Sequence, residues 1–83
     1  MFDARPVIEL DLHNMTKEQA AAAVDAALRR AGGATMRIRL IHGYHGGTAL
    51  QTMVRSRYKN HPKVKRVELG LNPGETDLIL REY

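Results

Sequence analysis

The chain contains no cysteine. Disulfides and thiolate zinc sites are therefore excluded, and nothing points to an oxidising compartment. No apolar run approaches the roughly 20 residues that a membrane-spanning helix needs, so no membrane partner is expected. The opening residues MFDARP lack a basic stretch followed by an apolar one. No signal peptide is expected, and a cytoplasmic location is the simplest expectation. There is no internal repeat, linker, low-complexity segment or heptad pattern, and no dense carboxylate cluster of the kind that holds catalytic metals.

What is present suits one small folded unit. At 83 residues a chain buries roughly 60% of its unfolded surface, enough for one core and not two, so residues 1–83 are expected to form one domain with its core at about 7–82. Charged residues make up 27% and hydrophobic residues 43%, an ordinary balance for a globular fold. Thirteen Lys and Arg against nine Asp and Glu leave a charge of +4, and the pI near 9.9 favours anionic partners, nucleic acid first among them.

The apolar periodicity sets the order of elements. Ile8, Leu10 and Leu12 alternate with Glu9, Asp11 and His13, a period of two that predicts a strand with one buried face. Thr16 with Gln19 three residues later is a capping-box pattern. The stripe of Ala20, Ala23, Val24, Ala27, Leu28 and Ala31 that follows predicts a helix of small side chains, able to lie close to a sheet and stopped by Gly32 and Gly33. Residues 35–41 alternate again, with Met36, Ile38 and Leu40 inward and Arg37 and Arg39 outward. A second helix is predicted from Gly47 or Thr48, with Leu50, Met53, Val54 and Tyr58 on its apolar face and its end before Pro62. Val67 and Leu69 alternate with Arg66 and Glu68, residues 72–75 have the Pro-Gly centre of a type II turn, and residues 76–82 return. The sum is βαβαββ: an α+β two-layer sandwich whose mixed four-stranded sheet carries both helices on one face. The open face would present Glu9, Asp11, His13, Arg37, Arg39, Arg66 and Glu68.

In open sheets of this kind ligands gather beyond the carboxyl ends of the strands. His13 closes the first strand and His42 the second, with Asp11 two residues before His13 on the same face. Two of the four histidines and three of the seven glycines fall within residues 42–47. Gly43, Gly46 and Gly47, leading to a helix start at Thr48, make a turn suited to phosphate, because its backbone N–H groups are free and the helix dipole favours an anion. Tyr44 is the best aromatic for stacking on a base. The basic residues Arg55, Arg57, Lys59, Lys63, Lys65 and Arg66 could steer a phosphate backbone or be a solvated surface. Structural readings stand beside these: His61 as a cation at a helix end, His45 as loop surface, His13 or His42 as a buried imidazole satisfied by neighbouring backbone, and the glycines as a turn needing positive φ.

The ordered set LDLH at 10–13, IHGYHGG at 41–47, HPKV at 61–64 and GETDLIL at 74–80 resembles the Smr (small MutS-related) domain family over about residues 7–82. Asn14 stands where the family's first signature has glycine, and Asn too tolerates positive φ. His45 stands at the middle glycine of the His-Gly-x-Gly-x-Gly signature, while His42, Gly43 and Gly47 match, as do Gly74 and Thr76 in the last motif. The resemblance implies a fold similar to the C-terminal domain of translation initiation factor 3, nucleic-acid binding and, in several members, endonuclease activity on DNA or on mRNA in ribosome-associated quality control. On that reading His13 and His42 act as general base and acid, Asp11 orients His13, His45 is able to replace either histidine, and Gly43, Tyr44, Gly46, Gly47, Thr48, Arg37, Arg39 and Arg66 contact nucleic acid. No cofactor is required; a metal-assisted variant would use a divalent cation on Asp11 and His13. RNA or DNA is the expected partner, with the ribosome or a MutS-like ATPase as further candidates, since the chain has no room for a Walker motif. The alternative is a binding module without catalysis, docking through the open sheet face and the glycine loop.

Overall fold

The structure, a computed structural model, describes residues 5–43, 49–69 and 73–81. Its elements follow the order β1 (Val7–Asp11), α1 (Lys17–Arg30), β2 (Arg37–Ile41), α2 (Ala49–Tyr58), β3 (Arg66–Leu69) and β4 (Glu75–Ile79). One mixed sheet has the strand order β1-β2-β4-β3. β1 and β2 are parallel, with Asp11 opposite Ile41, and β4 runs antiparallel to both β2 and β3.

Both helices cover one face of the sheet. Ile8, Leu12, Ile38, Leu40 and Leu78 meet Ala20, Val24, Ala27 and Leu28 of α1 and Val54 and Tyr58 of α2 in one buried core. The alanines let α1 approach the strands closely, as their size requires. Its first turn is the expected capping box: Gln19 N–H donates to Thr16 Oγ1 at 3.1 Å, and Thr16 N–H donates to Gln19 Oε1 at 3.0 Å. The helix ends one residue before the glycines, where Ala31 turns extended while its N–H still reaches the Ala27 carbonyl. Tyr58 is 1% exposed, and its hydroxyl donates to Asp25 of α1 at 2.8 Å, which ties the two helices together.

β1 stops at Asp11, two residues before the alternating pattern does. The Asp11 carboxylate accepts the His13 N–H at 3.1 Å, and Asn14 takes a positive φ of 68°, so the chain turns out of the sheet there. The turn survives Asn in place of glycine.

β4 departs from simple alternation. Asp77 and Ile79 point to the helix-free face yet are buried. β4 lies between β2 and β3, and arginines from the adjacent β2 fold over it. Arg37 donates to Asp77 Oδ2 at 2.9 Å, and Arg39 donates through Nε to Asp77 Oδ1 at 3.2 Å. By the strand register the helix-free face carries Glu9, Asp11, Glu68, Glu75 and Asp77 against Arg37, Arg39 and Arg66. Its balance is acidic although the whole chain is basic. Of the expected turn at residues 72–75, residue 72 lies outside the described residues.

Candidate nucleic-acid site at the strand ends

The parallel pairing of β1 and β2 brings the two signature histidines to one edge, as the sequence predicts. Alternation then separates them. Continuing the register, Leu12 lies opposite His42 and His13 opposite Gly43, an offset of one residue that sends the two rings to opposite faces. The Leu12 N–H donates to the Ile41 carbonyl at 2.8 Å and carries the pairing past the strand end.

His42 goes inward. It is 4% exposed, and both ring nitrogens are bonded. Nδ1 lies 2.8 Å from the Gly43 carbonyl and Nε2 lies 2.8 Å from Thr76 Oγ1. A carbonyl can only accept, so the ring proton sits on Nδ1, and Thr76 donates its hydroxyl proton to Nε2. The Thr76 oxygen in turn accepts from Arg55 Nε at 3.0 Å. A chain of donors thus runs from Arg55 on α2 through Thr76 on β4 and His42 after β2 to the first carbonyl of the glycine loop. The backbone repeats the anchorage: the N–H groups of His42 and Gly43 both reach the Gly74 carbonyl at 3.0 Å. Gly43 has a φ of 72°, a left-handed conformation that favours glycine.

His13 goes outward. More than half of its side chain is exposed, and so is Asp11. His13 Nδ1–H donates to Asp11 Oδ1. This bond is the main reason the Asp11 carboxyl is held below its ordinary range, and it turns Nε2 away from the carboxylate. A Cβ built on Gly43 would lie 3.8 Å from the His13 Cβ, so the histidine packs against the backbone that the buried relay fixes.

A cavity of about 640 Å³ opens at this edge, lined by His13, Asn14, Met15, Thr16, Lys17, Ile41, His42, Gly43, Ala49 and Leu50. It lies between the N-termini of α1 and α2. No motif in the sequence singles out Lys17, although a signal is present: a lysine in the first turn of a helix opposes the dipole and is an unfavourable placement unless an anion comes there. Met15 and Leu50 line the cavity while looking like ordinary core positions in a periodic pattern.

The other basic residues expected to contact nucleic acid hold partners within the chain. Arg37 and Arg39 are paired with Asp77, Arg39 also lies 3.7 Å from Glu9, and Arg66 is paired with Glu68. Of the remaining basic cluster, Arg55 serves Thr76, Arg57 pairs with Asp25 at 3.2 Å, and Lys63 Nζ donates to the Leu28 carbonyl at the end of α1 at 2.7 Å. His61 Nδ1 accepts the Lys63 N–H at 3.1 Å. Tyr44, His45, Gly46, Gly47 and Thr48 lie outside the described residues. Among the described residues no three His, Cys, Asp or Glu side chains stand close enough to hold a metal, and no helix is long and apolar enough to cross a membrane.

A mixed sheet of order β1-β2-β4-β3 backed by helices on one face only places the molecule among small two-layer α+β domains. The family follows from comparison with known proteins. The model of the Smr domain matches residues 10–74, and the chain belongs to the Smr domain family, a family of nucleic-acid-binding domains. Among solved structures it is similar to the Smr domain of Thermus thermophilus MutS2, with a TM-score of 0.78 and 29% identity over 90% of this chain and 99% of that one. No curated protein matches the chain.

Proposed function

We propose that the chain is an endonuclease on RNA or DNA in which the Asp11–His13 pair is the proton-transfer group. The observation that carries this reading is the exposed His13 ring, fixed through Nδ1 by Asp11 beside a cavity at the strand ends. A histidine held this way offers Nε2 as a base. On RNA, Nε2 takes the proton of the 2′-hydroxyl, the resulting oxygen attacks phosphorus, and the bond from phosphorus to the 5′-oxygen breaks. The leaving oxygen takes a proton from solvent, giving a 2′,3′-cyclic phosphate and a 5′-hydroxyl. On DNA, the same nitrogen would take a proton from a water whose oxygen bonds to phosphorus, one of the two ester P–O bonds would break, and the leaving oxygen would take a proton from solvent, giving a phosphate monoester and a hydroxyl end.

His42 has a different part in this scheme. Its ring is buried with both nitrogens engaged, which suits positioning of the Gly43 backbone rather than proton exchange with a substrate. The glycine loop that it anchors would hold the scissile phosphate, with Lys17 at the rim of the same cavity. A divalent cation, if used, would take Asp11 and His13 as its first two donors.

The test is cleavage of labelled RNA and DNA with and without EDTA. Cleavage that survives EDTA and stops when the target ribose is 2′-deoxy supports the histidine route. Loss in EDTA with rescue by a divalent cation makes Asp11 a ligand. Intact cleavage by purified His13→Ala sinks the site. A second reading, a binding module without catalysis, is favoured by the engagement of His42, which leaves His13 as the one signature histidine of the described residues with an exposed ring. It predicts salt-dependent binding with no turnover.

A further inference from the structure

We infer that the cavity beside His13 receives a nucleobase, so that the preferred substrate is a strand whose base next to the target phosphate is unpaired. This rests on the nucleic-acid reading of the site and specifies which part of the polymer enters it.

The cavity's size and chemistry decide the occupant. At about 640 Å³ it falls within the roughly 300–1,000 Å³ typical of sites for small organic ligands. Its walls are apolar: Met15 from the turn before α1, and Ala49 and Leu50 from the start of α2. Met15 and Leu50 are backed by the core, so these walls are supported and do not belong to a loose surface. Polar groups sit at the mouth: His13, Asn14 and Lys17 are exposed.

A nucleic acid has few apolar surfaces to offer. Phosphates cannot be desolvated against Met15 and Leu50 without heavy cost, whereas base faces are broad, flat and apolar. In a duplex those faces are stacked and unavailable. A base turned into the cavity would place its thioether and aliphatic walls against a π face and bring its own phosphate to the mouth, where Lys17 and His13 stand. Asn14 at the rim has both a donor and an acceptor to meet a base edge. The acidic balance of the helix-free sheet face argues in the same direction. A long duplex laid across it would meet Glu9, Glu68 and Glu75 beside arginines already paired with Asp77 and Glu68, so the face offers no surplus of positive charge, and contact is favoured at the edge, where a single nucleotide can enter.

The experiment reads binding, separately from cleavage. The full chain carrying His13→Asn, to stop turnover, is titrated against short RNA and DNA oligonucleotides as single strands, as blunt duplexes and as duplexes with one bulged nucleotide. An abasic residue is walked along the single strand, and 2-aminopurine is placed at the position found. Single-stranded and bulged probes should bind about tenfold tighter than the blunt duplex, and one abasic position should weaken binding about tenfold, the effect of losing contacts to one base. 2-Aminopurine fluorescence at that position should change on binding. Met15→Ser, checked for folding by circular dichroism, should remove the dependence on that base while leaving the salt dependence. Leu50→Ser is the second wall variant, and the 2-aminopurine signal of the unaltered cavity needs neither. Equal affinity for duplex and single strand with no abasic effect at any position overturns the inference, as does a folded Met15→Ser that keeps full base dependence. Cleavage without base dependence would overturn the base cavity and leave the Asp11–His13 scheme standing. Base-dependent binding without cleavage by the unaltered protein would do the reverse.

Discussion

Replacing Thr76 with valine probes the buried relay with little change of shape. Thr76 is fully buried, and its hydroxyl holds His42 Nε2 at 2.8 Å and Arg55 Nε at 3.0 Å. Valine fills nearly the same space, so the loss is polar and not a cavity. The His42 contact contributes about 1 kcal/mol, and an acceptor left buried and unpaired costs about 1–3 kcal/mol. Arg55 is partly exposed and can turn toward water, which limits its share. The sum is about 2–4 kcal/mol, a large part of the ~4–12 kcal/mol expected for a chain of this length. With a urea slope of roughly 1.5 kcal/mol/M the unfolding midpoint should fall by about 1.3–2.7 M. Urea titration followed by circular dichroism at 222 nm measures it. Thr76→Ser keeps the hydroxyl and should recover most of the loss, and imidazole ¹⁵N spectra should show the His42 proton on Nδ1 in the unaltered protein and a mixture in the valine variant. A valine variant within about 0.5 kcal/mol of the original, with an unchanged His42 tautomer, would refute the relay.

Three further expectations follow from the site and the helix layer. His13→Ala should abolish cleavage with a stability change under about 0.5 kcal/mol, because the ring is exposed, whereas His42→Ala should destabilise by about 2–4 kcal/mol through its cavity and the broken relay; urea titration and a cleavage assay run side by side would expose an exchange of those two outcomes. Gly43→Ala should cost about 1–2 kcal/mol from the φ of 72° alone, since the nearest atom, His13 Cβ at 3.8 Å, leaves room for the methyl, and the reciprocal Asn14→Gly should be neutral or slightly stabilising; a clash-sized loss in the first would contradict the geometry. Burial, together with the bond to Asp25, pushes the Tyr58 phenol up to about 12 from 10.0. The folded state therefore favours the protonated phenol: that stabilisation is whole below pH 10 and is lost as pH rises from about 10 to about 12. Thermal melts across this range should show a decline that is smaller in Tyr58→Phe, and equal declines would refute it.

Much of this architecture is legible in the sequence because the signals are local. The capping box at Thr16 and Gln19, the alanine stripe of α1 and the alternation of β1 and β2 each depend on residues within a turn or two, and each forms as read. The positive φ at Asn14 follows from a single substitution set against a signature. What is not legible depends on partners far along the chain. Asp77 is buried on the helix-free face because Arg37 and Arg39, some 40 positions earlier, close over it, and no pattern near Asp77 announces them. The same arginines read as ligand contacts when their partner is out of view. His42 and His13 look equivalent as strand-end histidines, and only the register of β1 against β2 separates the buried ring from the exposed one. Arg55 looks like one member of a basic run until β4 brings Thr76 beneath it.

The strand order has a consequence for how the site comes into being. β4 enters the sheet last in sequence but lies inside it, between β2 and β3, and it brings Gly74 and Thr76, which anchor His42 and Gly43. A nascent chain that has emerged only through β3 already holds both signature histidines, yet nothing fixes the Gly43 backbone or the His42 tautomer. Assembly of the site thus coincides with insertion of the final strand, a non-local step that is slow relative to helix formation. During synthesis the protein would pass through a stage with both histidines present and their anchors still missing, and the edge would take its final geometry as the sheet closes.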